Sequence, residues 1–415
     1  MKRLLQINVE ANYGSTGRIA SDIGDLVISE GWESHIAYGR IKKDTPSSTY
    51  KIAKTPSIYN HVLQTRLLDR HGLASTQDTK RLIAFIQELK PSLVHMHNLH
   101  GYYLNYEKLF HYLKTVDIPL VWTLHDCWAL TGHCTHYEDI GCYKWQKSCH
   151  SCPQKKEYPT SWMADRSAKN HQLKKEVFGQ QEHLNIVTVS NWLNRQVGQS
   201  YLKNHNTVTI YNGIDTSIFK PRKNRFLLKR YDLFGKFIIL GVASVWSEKK
   251  GLADFISLSK GLKKDEVIVL IGLNKEQIKT LPDNIIGLER TSSLSELVSW
   301  YSIASVYLNA SVEESFGMTT AEALACGTPV IVYDATACPE MVIPEIVKVV
   351  AKRDINGIRS AINEIKVGFN IENHNRCRNH VVSNFDKNDR YKEYFRLYKG
   401  LLYPSRKQKK TVHER

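Results

Sequence analysis

The sequence predicts an α/β protein with two Rossmann-like domains, each built on a parallel sheet that helices cover. Short apolar segments that suit buried strands alternate with helical patterns in the first half of the chain. The same alternation restarts after residue 219. The chain also has 415 residues, more than one core accommodates, since single cores stop growing at about 250–300 residues.

The first half begins with a strand candidate, RLLQINV, at residues 3–9. A helix over residues 17–31 is predicted next, because Ile19, Ile23 and further apolar residues recur at helical spacing. The remaining predicted elements are strands at residues 34–39, 92–98, 119–126, 185–190 and 207–213 and a helix at residues 82–89. Ligands bind at the carboxyl ends of strands in such sheets, so residues 15–17 are expected at a binding edge.

The second half repeats this pattern after a linker at residues 220–225, which is rich in Pro, Arg and Lys. Its predicted elements are strands at residues 237–243, 266–272, 304–311, 330–333 and 346–350 and helices at 252–262, from 294 onward and at 321–326. We therefore predict an N-terminal domain at residues 1–218 and a C-terminal domain at residues 219–385, with binding edges that face across a cleft.

A last helix is predicted at residues 386–402, where Tyr391, Tyr394, Phe395 and Tyr398 share one side. This apolar side needs a surface to pack on. A return to the N-terminal domain and packing on the C-terminal domain are both consistent with the pattern.

The chain is basic, with 57 Lys and Arg against 41 Asp and Glu and a formal net charge of +16. This excess favours anionic partners such as nucleotides, phospholipid surfaces or nucleic acid. Nucleic acid is not the expected partner, because the sequence has no basic helix, aromatic platform or recognised nucleic-acid module. The basic tail at residues 403–415 suits an anionic membrane surface, and a solvated terminus explains it equally well.

No apolar run approaches the roughly 18 residues that a membrane-spanning helix needs. The first residues, MKRLLQINVEANYG, also lack the apolar core of a signal peptide. The expected location is therefore the cytoplasm, and peripheral association with the inner face of the membrane is consistent with it.

The segment VEESFGMTTAEALACGTPVIVYD, residues 312–334, reads as a loop, a helix and a strand. Thr319 or Thr320 can cap the helix, which places Gly317 just before a helix N-terminus, a natural anion site. Glu314 and Glu322 stand on either side of it. Carboxylates accept hydrogen bonds from hydroxyls, so the arrangement suits a ligand that is anionic in the middle and hydroxylated at both ends. A nucleotide sugar is such a molecule.

Four motifs together resemble the retaining glycosyltransferases of family 4, which have the two-domain GT-B fold. They are TLHD, VSNWL, IYNGID and EESFGMTTAEALACGTPVI, in this order, and the resemblance covers roughly residues 4–400. It implies that Glu314 faces the hydroxyls of the donor sugar and that Glu322 binds the ribose diol. It also assigns five residues of this segment to the donor site: Ser315, Phe316, Gly317, Met318 and Thr319. The backbone N–H groups from Phe316 to Thr319 would bind the donor diphosphate.

The resemblance also assigns the glycine loop and one histidine of the N-terminal domain to the site. NYGSTGRI matches the glycine loop of the family, with Gly14 and Gly17 allowing close approach of donor and acceptor. His125 in TLHD matches the active-site histidine near the donor sugar, and we do not expect it to act as a general base.

Lys249 and Lys250 fill the role of the lysine that neutralises the leaving diphosphate. The family's arginine position holds Ser244. The second cation would then come from Arg18, Lys250 or Arg290.

The implied reaction transfers a sugar from a nucleotide-diphosphate sugar, with retention, to a glycan that is lipid-linked in the expected case, as in surface polysaccharides of the colanic acid, capsule or O-antigen type. No catalytic metal is expected, since no Asp-x-Asp pair is present to hold one. A nucleotide-sugar epimerase or a glycogen-type synthase of the same fold is the alternative. A zinc-bearing nucleic-acid-binding protein is a more distant one.

A cysteine-rich insertion at residues 132–153 holds half of the eight cysteines of the chain: Cys134, Cys142, Cys149 and Cys152. The last two form a C-x-x-C pair, and four thiolates suit a structural zinc ion. Disulfides are less expected in a reducing cytoplasm. The irregular spacing of the other two leaves a second interpretation open, four unconnected thiols.

Overall fold

The computed structural model describes residues 1–341, 343–368 and 370–403. The described chain divides into two compact units, residues 1–211 with 390–403 and residues 212–389, and the predicted basic tail from residue 404 onward lies outside the described residues. The division lies between Tyr211 and Asn212, ahead of the boundary placed at residues 218 and 219. Residues 212–219 bond to their own unit: the Ile214 N–H donates to the Phe385 carbonyl at 2.7 Å, and the Arg378 guanidinium donates to the Thr216 carbonyl at 3.1 Å.

The first unit contains a seven-stranded parallel sheet in the order β3-β2-β1-β4-β5-β6-β7. Its strands are β1 (Arg3–Asn8), β2 (Glu33–Tyr38), β3 (Ser48–Lys51), β4 (Leu93–Met96), β5 (Leu120–Leu124), β6 (Leu184–Thr188) and β7 (Asn206–Thr209). Its helices are α1 (Gly14–Ser29), α2 (Thr55–Leu68), α3 (Thr76–Leu89), α4 (Tyr106–Leu113), α5 (Ser167–Gly179) and α6 (Asn191–Gly198). The central strands β4 and β5 are buried along their whole length, as expected where helices cover both faces of a parallel sheet.

The second unit contains a six-stranded parallel sheet in the order β10-β9-β8-β11-β12-β13. Its strands are β8 (Phe237–Val242), β9 (Glu266–Ile271), β10 (Ile285–Leu288), β11 (Val306–Asn309), β12 (Val330–Tyr333) and β13 (Lys348–Val350). Its helices are α7 (Arg225–Arg230), α8 (Leu252–Ser259), α9 (Lys275–Lys279), α10 (Leu294–Ile303), α11 (Met318–Ala325), α12 (Ile355–Gly368) and α13 (Ile371–Phe385). The predicted α/β class with two Rossmann-like sheets is thus confirmed.

The last helix, α14 (Lys387–Leu402), packs mainly on the first unit. Four aromatic side chains from one of its faces enter the core cluster that contains Leu4, Ile23 and Val121. Two of them also bond to the sheet: Tyr398 Oη lies 2.7 Å from His95 Nδ1, and the Thr123 hydroxyl donates to Tyr394 Oη at 3.2 Å. The sequence left open whether this helix packs on the N-terminal or on the C-terminal domain, and the structure shows that it packs on the N-terminal domain.

Most elements differ from their predicted limits by a few residues, and three of the helices illustrate the differences. Helix α1 begins at Gly14, three residues early, and α8 ends at Ser259. Helix α11 begins at Met318, so Thr319 and Thr320 lie in its first turn and the capping position belongs to Gly317. The physical reason is that the Thr320 and Ala321 N–H groups donate to the Gly317 carbonyl, which starts the helix ahead of both threonines.

Candidate functional site

Two lysine–glutamate pairs occupy the loop that follows β11. Lys249 Nζ lies 2.9 Å from Glu313 Oε2, and Lys250 Nζ lies 2.5 Å from Glu314 Oε1. Both lysines come from the short 3-10 helix Glu248–Lys250 after β8, the strand that pairs with β11. The carboxyl ends of two neighbouring parallel strands thus bring four charged groups together.

The two pairs differ in burial. The Glu313 side chain is 3% exposed, while that of Glu314 is 18% exposed. Burial acts to lower the pKa of Lys250, but the Glu314 carboxylate outweighs it and the pKa is raised. Lys250 therefore stays cationic beside a more accessible carboxylate. Both lysines are therefore ion-paired in the folded chain.

The backbone of this loop is anchored at Glu314. Its N–H donates to the Thr336 hydroxyl at 2.8 Å, and its carbonyl accepts from the same hydroxyl at 2.7 Å and from the Ala337 N–H at 3.2 Å. These contacts hold the loop in front of α11. Gly317, the capping residue, has φ = +96°, a left-handed conformation that favours glycine.

Helix α11 presents its N-terminus to the same loop. The N–H groups of a first helical turn point out of the helix and carry a partial positive charge, so this turn, with Met318 and Thr319, can hold an anion. Asn309 at the end of β11 fixes the turn, because its side-chain amide donates to the Thr320 hydroxyl at 2.9 Å and its oxygen accepts from the Ser311 N–H at 3.1 Å.

Glu322, one turn further along α11, is 7% exposed rather than solvated. One of its oxygens, Oε2, accepts from the Tyr301 hydroxyl at 2.9 Å. Tyr301 is itself fully buried in α10 and its carbonyl accepts from the Thr328 hydroxyl. The structure therefore gives Glu322 a fixed orientation, and an ordinary exposed helix residue is excluded.

In the first unit, the glycine loop runs from the end of β1 into the first turn of α1, which begins at Gly14. Gly14 has φ = +63°, a left-handed conformation that favours glycine, and the nearest atom to a Cβ there is Oε2 of the flexible Glu10 side chain. A Cβ on Gly17 would lie 3.2 Å from the Glu10 carbonyl oxygen, and the Gly17 carbonyl accepts from the Asn12 N–H at 3.0 Å. The backbone conformation thus favours glycine at residue 14, and a close backbone contact favours it at residue 17.

His125 follows β5 and is bonded to a chain of polar groups beneath it. The Gln6 amide donates to the Ala20 carbonyl at 2.7 Å, which turns Gln6 Oε1 toward His97 Nε2 at 3.1 Å. Because an amide oxygen only accepts, His97 Nε2 carries the proton and His97 Nδ1 accepts from His125 Nε2 at 3.1 Å. A neutral His125 then has Nδ1 as its unprotonated nitrogen, an acceptor for a hydroxyl.

Burial lowers the pKa of His125 to about 4 despite the neighbouring Asp126 carboxylate. Asp126 points elsewhere: its Oδ2 lies 2.7 Å from His100 Nε2 and its Oδ1 accepts from the Trp128 N–H at 2.8 Å. Burial acts to raise the pKa of Asp126, but these contacts hold it at about 2. His125 is therefore neutral near pH 7 and its neighbour is ionised.

The buried histidines of the first unit predict an acid-sensitive fold. Burial lowers the pKa of His61 to about 3, that of His125 to about 4, and those of His95 and His97 well below 6.5. As the pH falls through 6.5, the unfolded chain takes up protons that the folded histidines do not, so stability is lost from that pH downward. For His61 and His125 the loss should be on the order of 1–2 kcal/mol each by pH 5, and His95 and His97 should act in the same direction.

The thermal unfolding midpoint at constant ionic strength, measured from pH 8 to pH 5, checks this. We expect a fall below pH 6.5, a flatter dependence in His97→Gln, and no change of slope in His183→Gln, since the side chain of His183 is 54% exposed. A midpoint that is constant over this range would contradict the expectation.

The four predicted metal-binding cysteines, Cys134, Cys142, Cys149 and Cys152, line one cavity of the first unit. In the described part of the chain, no group of three or more His, Cys, Asp and Glu side chains is already arranged around a metal-sized point. The structure thus brings the thiols to one place without arranging them for coordination.

Several residues of the candidate site were missed at the level of sequence. Glu313 stands next to the singled-out Glu314, and His97 ends a predicted strand, so both had a usable positional signal. Gln6, Tyr301 and Thr336 had no such signal, because only the folded sheets bring them to the site.

Two residues considered for the second cation of the site can also be placed. Ser244, at the position of the family's arginine, is exposed, and the Arg18 guanidinium donates to the Gly14 carbonyl at 3.1 Å.

Family comparisons match both halves of the chain. Residues 17–218 match the model described as Glycosyltransferase Family 4, and residues 236–366 match the model described as Glycosyl transferases group 1. No helix in the described part of the chain is long and apolar enough to cross a membrane.

Two curated relatives match a part of the chain. A colanic acid biosynthesis glycosyl transferase of Escherichia coli K12, WcaC, is 30% identical over 168 residues, which are 38% of this chain and 40% of the relative. The N-acetyl-alpha-D-glucosaminyl L-malate synthase of Bacillus anthracis is 26% identical over 175 residues, 40% of this chain and 45% of the relative. The matches thus span less than half the length of these relatives.

Solved structures match over almost the whole chain. Sucrose-phosphate synthase from Thermosynechococcus elongatus has a TM-score of 0.72 at 15% identity, covering 98% of this chain and 100% of its own. Anabaena HepE in complex with UDP and glucose has a TM-score of 0.64 at 14% identity, covering 96% and 99%. At these identities the likeness shows the fold.

Proposed function

Because the chain belongs to the family 4 glycosyltransferases and has the GT-B fold, we propose that it transfers a sugar, with retention, from a nucleotide-diphosphate sugar to a glycan acceptor. One observation carries the proposal: the loop from Glu313 to Gly317 joins two lysine–glutamate pairs to a helix N-terminus, and the same helix holds the buried Glu322. This arrangement matches the alternation of hydroxyl, phosphate and hydroxyl in a nucleotide sugar.

The donor is proposed to bind along α11. The ribose diol donates to Glu322, whose orientation the Tyr301 hydroxyl fixes. The diphosphate lies at the first turn of α11 and beside Lys250, where N–H groups and a cation meet its charge. The sugar hydroxyls donate to Glu314. The binding of UDP by the structurally similar HepE supports a nucleotide ligand of this kind.

Cleavage of the bond between the sugar and the phosphate gathers negative charge on the leaving diphosphate and positive character on the sugar ring. Lys250 and the helix N-terminus would stabilise the departing anion from positions fixed before the reaction, which is electrostatic preorganisation. A phosphate oxygen of the leaving group can take the proton of the acceptor hydroxyl. The proposal therefore assigns no step to a metal.

Within the first unit, His125 is proposed to accept a hydrogen bond from a hydroxyl of a bound sugar. The chain from Gln6 through His97 keeps the proton on His125 Nε2 and leaves Nδ1 as the acceptor. The low pKa of His125 keeps that nitrogen unprotonated near pH 7. This role is one of orientation and needs no proton transfer.

A direct assay tests the proposed reaction. Purified protein is incubated with a panel of nucleotide sugars and glycan acceptors, and the released nucleoside diphosphate and the glycosylated product are measured. Transfer predicts both products in equal amounts, with the anomeric configuration of the donor preserved in the NMR spectrum of the product. An altered nucleotide sugar with no released diphosphate would indicate the epimerase instead, and an inverted anomer would exclude retention.

The acceptor is proposed to be lipid-linked, with the protein held peripherally at an anionic membrane. Exposed apolar side chains support this: Tyr59 and Leu63 on α2 are 71% and 55% exposed, and Trp162, whose N–H donates to the Arg66 carbonyl near the end of α2, and its neighbour Met163 are 56% and 73% exposed. The Arg66 guanidinium lies 4.7 Å from the Trp162 ring centroid. Aromatic and apolar groups next to cations suit a lipid interface with anionic headgroups.

Sedimentation with vesicles checks this surface. The protein should bind vesicles that contain anionic lipid at low salt, and the double variant Trp162→Ala/Met163→Ala should bind several-fold more weakly. The matched control Val367→Ala, at a site that is 92% exposed in the second unit, should bind like the native protein. Equal binding by all three proteins would remove this surface from the proposal.

A further inference from the structure

The cysteine-rich insertion between β5 and α5 has no part in the proposed transfer. Within it, the side chains of Cys134, Cys142, Cys149 and Cys152 line one cavity together with His133. The four cysteines that line this cavity are up to eighteen residues apart in sequence. The fold of the insertion, and not the C-x-x-C spacing alone, therefore brings their sulfur atoms together.

The thiols lie close enough to interact with one another. The Cys134 and Cys152 thiols share a hydrogen bond. Cys149 interacts electrostatically with Cys152 and Cys142, and its Sγ accepts from the Gly132 N–H at 3.2 Å. Backbone N–H groups that donate to sulfur are a common way of stabilising thiolate charge.

His133 gives a second and independent observation. Its Nδ1 lies 2.7 Å from Asp69 Oδ1, both side chains are 0% exposed, and its Nε2 is buried with no hydrogen-bond partner among the described residues. A buried polar atom without a partner costs about 1–3 kcal/mol. His133 also interacts electrostatically with Cys152, so a thiolate at Cys152 would give the imidazole the acceptor that it lacks.

Lys174 is the third observation. It is 1% exposed, its Nζ donates to the Trp128 carbonyl at 2.7 Å and to the Thr131 carbonyl at 3.0 Å, and it lies 3.6 Å from the centroid of the Trp128 ring. These neutral groups carry no charge that would balance a buried ammonium. Burial lowers the pKa of Lys174 to about 7, and negative charge on the Cys149 and Cys134 sulfurs acts to raise it. The fold therefore places beside the thiols a buried amine whose cationic form thiolates would favour.

We propose that Cys134, Cys142, Cys149 and Cys152 bind one zinc ion as four thiolates, with Lys174 and His133 beside them. Four thiolates around zinc carry a net charge of −2. A cationic Lys174 offsets one of these charges, whereas the charge of a protonated His133 is already paired with the Asp69 carboxylate, so that His133 contributes a hydrogen-bond donor. Tetrahedral sulfur sites select zinc among the common divalent ions. Binding requires the thiols to turn about their Cα–Cβ bonds, for which Cys142, Cys149 and Cys152 have room, because they are only half-buried.

This inference is independent of the proposed transferase function, since the site is defined by the metal and not by the donor. The ion would join the two ends of an insertion that has only one short 3-10 helix, Lys144–Gln146, among the described residues. Metal binding of this kind contributes directly to folding stability. The insertion would then unfold locally when the metal is removed.

Metal analysis of protein purified under reducing conditions without chelator tests the proposal. We expect about one zinc ion per chain, four thiols that resist a thiol reagent until a chelator is added, and a lower unfolding midpoint after chelation. Replacement of zinc by cobalt(II) should give the absorption of a tetrahedral thiolate site. Cys149→Ser and Cys152→Ser should lose most of the metal, whereas the matched control Cys377→Ser, a buried thiol of the second unit, should retain it.

The variant His133→Ala tests whether His133 binds the zinc ion or only lies beside the cysteines that bind it. The variant should keep its zinc but release it faster to a chelator, because only a charge and a hydrogen bond are lost. Loss of zinc in His133→Ala together with full retention in Cys142→Ser would overturn the set of four thiolates. Metal-free protein with all four thiols reactive, or with a disulfide among them, would overturn the zinc site itself.

Discussion

Lys250→Ala should lower turnover by roughly 10²-fold or more, the cost of removing one group that stabilises an oxyanion. Lys250 is the cation beside Glu314 and the N-terminus of α11, and the Glu314 carboxylate keeps its pKa raised, so it stays charged. With Ser244 where the family has arginine, little other cationic assistance is available in this loop. Initial rates with one donor at saturating concentration measure the effect, and Lys250→Arg should restore a part of it because the charge is kept.

Lys249→Ala is the matched control, because the neighbouring lysine pairs with a different carboxylate. Glu313 has a side chain that is only 3% exposed, so loss of its lysine partner should cost stability rather than turnover, on the order of 2 kcal/mol and 4–8 °C in unfolding midpoint. Turnover of the folded variant should stay within several-fold of the native protein. If both alanine variants turn over at nearly the native rate, the diphosphate is held by other groups.

The contrast between the two lysines shows what the sequence could predict here. The sequence identified Lys249 and Lys250 together as candidates for the lysine beside the diphosphate. Their partners were not identified, because Glu313 and Glu314 become neighbours of the lysines only when β11 pairs with β8. The loop motif thus identified the site, and the sheet decided which carboxylate each lysine meets.

The sheets themselves were predicted well where strands are central and apolar. Segments such as LVHM in β4 and VIVY in β12 are buried throughout and have a clear signal. The edge strands β3, STYK, and β10, IIGL, were missed, whereas the edge strands β7, NTVT, and β13, KVV, were predicted. All four are short and partly exposed, so position at the edge weakens the pattern of a strand without deciding whether the strand is recognised.

The histidine chain shows another limit of sequence reasoning. His125 was identified through the TLHD motif, but its tautomer depends on Gln6 and His97, which lie 119 and 28 residues away. These side chains meet because β1, β4 and β5 are neighbours in the sheet. A single sequence gives the candidates at the strand ends, while the order of the strands decides which of them touch.

Glu322→Ala should weaken nucleotide binding by about 10–100-fold, since hydrogen bonds to a charged group contribute about 1.5–3 kcal/mol. Glu322 is buried in α11 and its Oε2 is held by the Tyr301 hydroxyl, so the carboxylate is already oriented for a diol. Calorimetric titration with nucleoside diphosphates measures the affinity without any need for turnover. Tyr301→Phe should cause a smaller loss, because it releases the orientation of the carboxylate but keeps its charge.

Glu314→Gln should differ from Glu322→Ala in its effect: turnover should fall strongly, while the affinity for the nucleotide should stay nearly unchanged. The nucleoside diphosphate contains no donor sugar, so a carboxylate that meets only the sugar cannot contribute to its binding. Glutamine keeps the shape of the side chain but loses the charge that faces both Lys250 and the developing positive character of the sugar ring. Affinity for the diphosphate and turnover with the full donor are measured on the same preparations of Glu314→Gln and Glu322→Ala. Two variants that lower affinity and turnover in the same proportion would show that the two carboxylates do not divide the donor between them, and the assignment of sugar and ribose along α11 would fail.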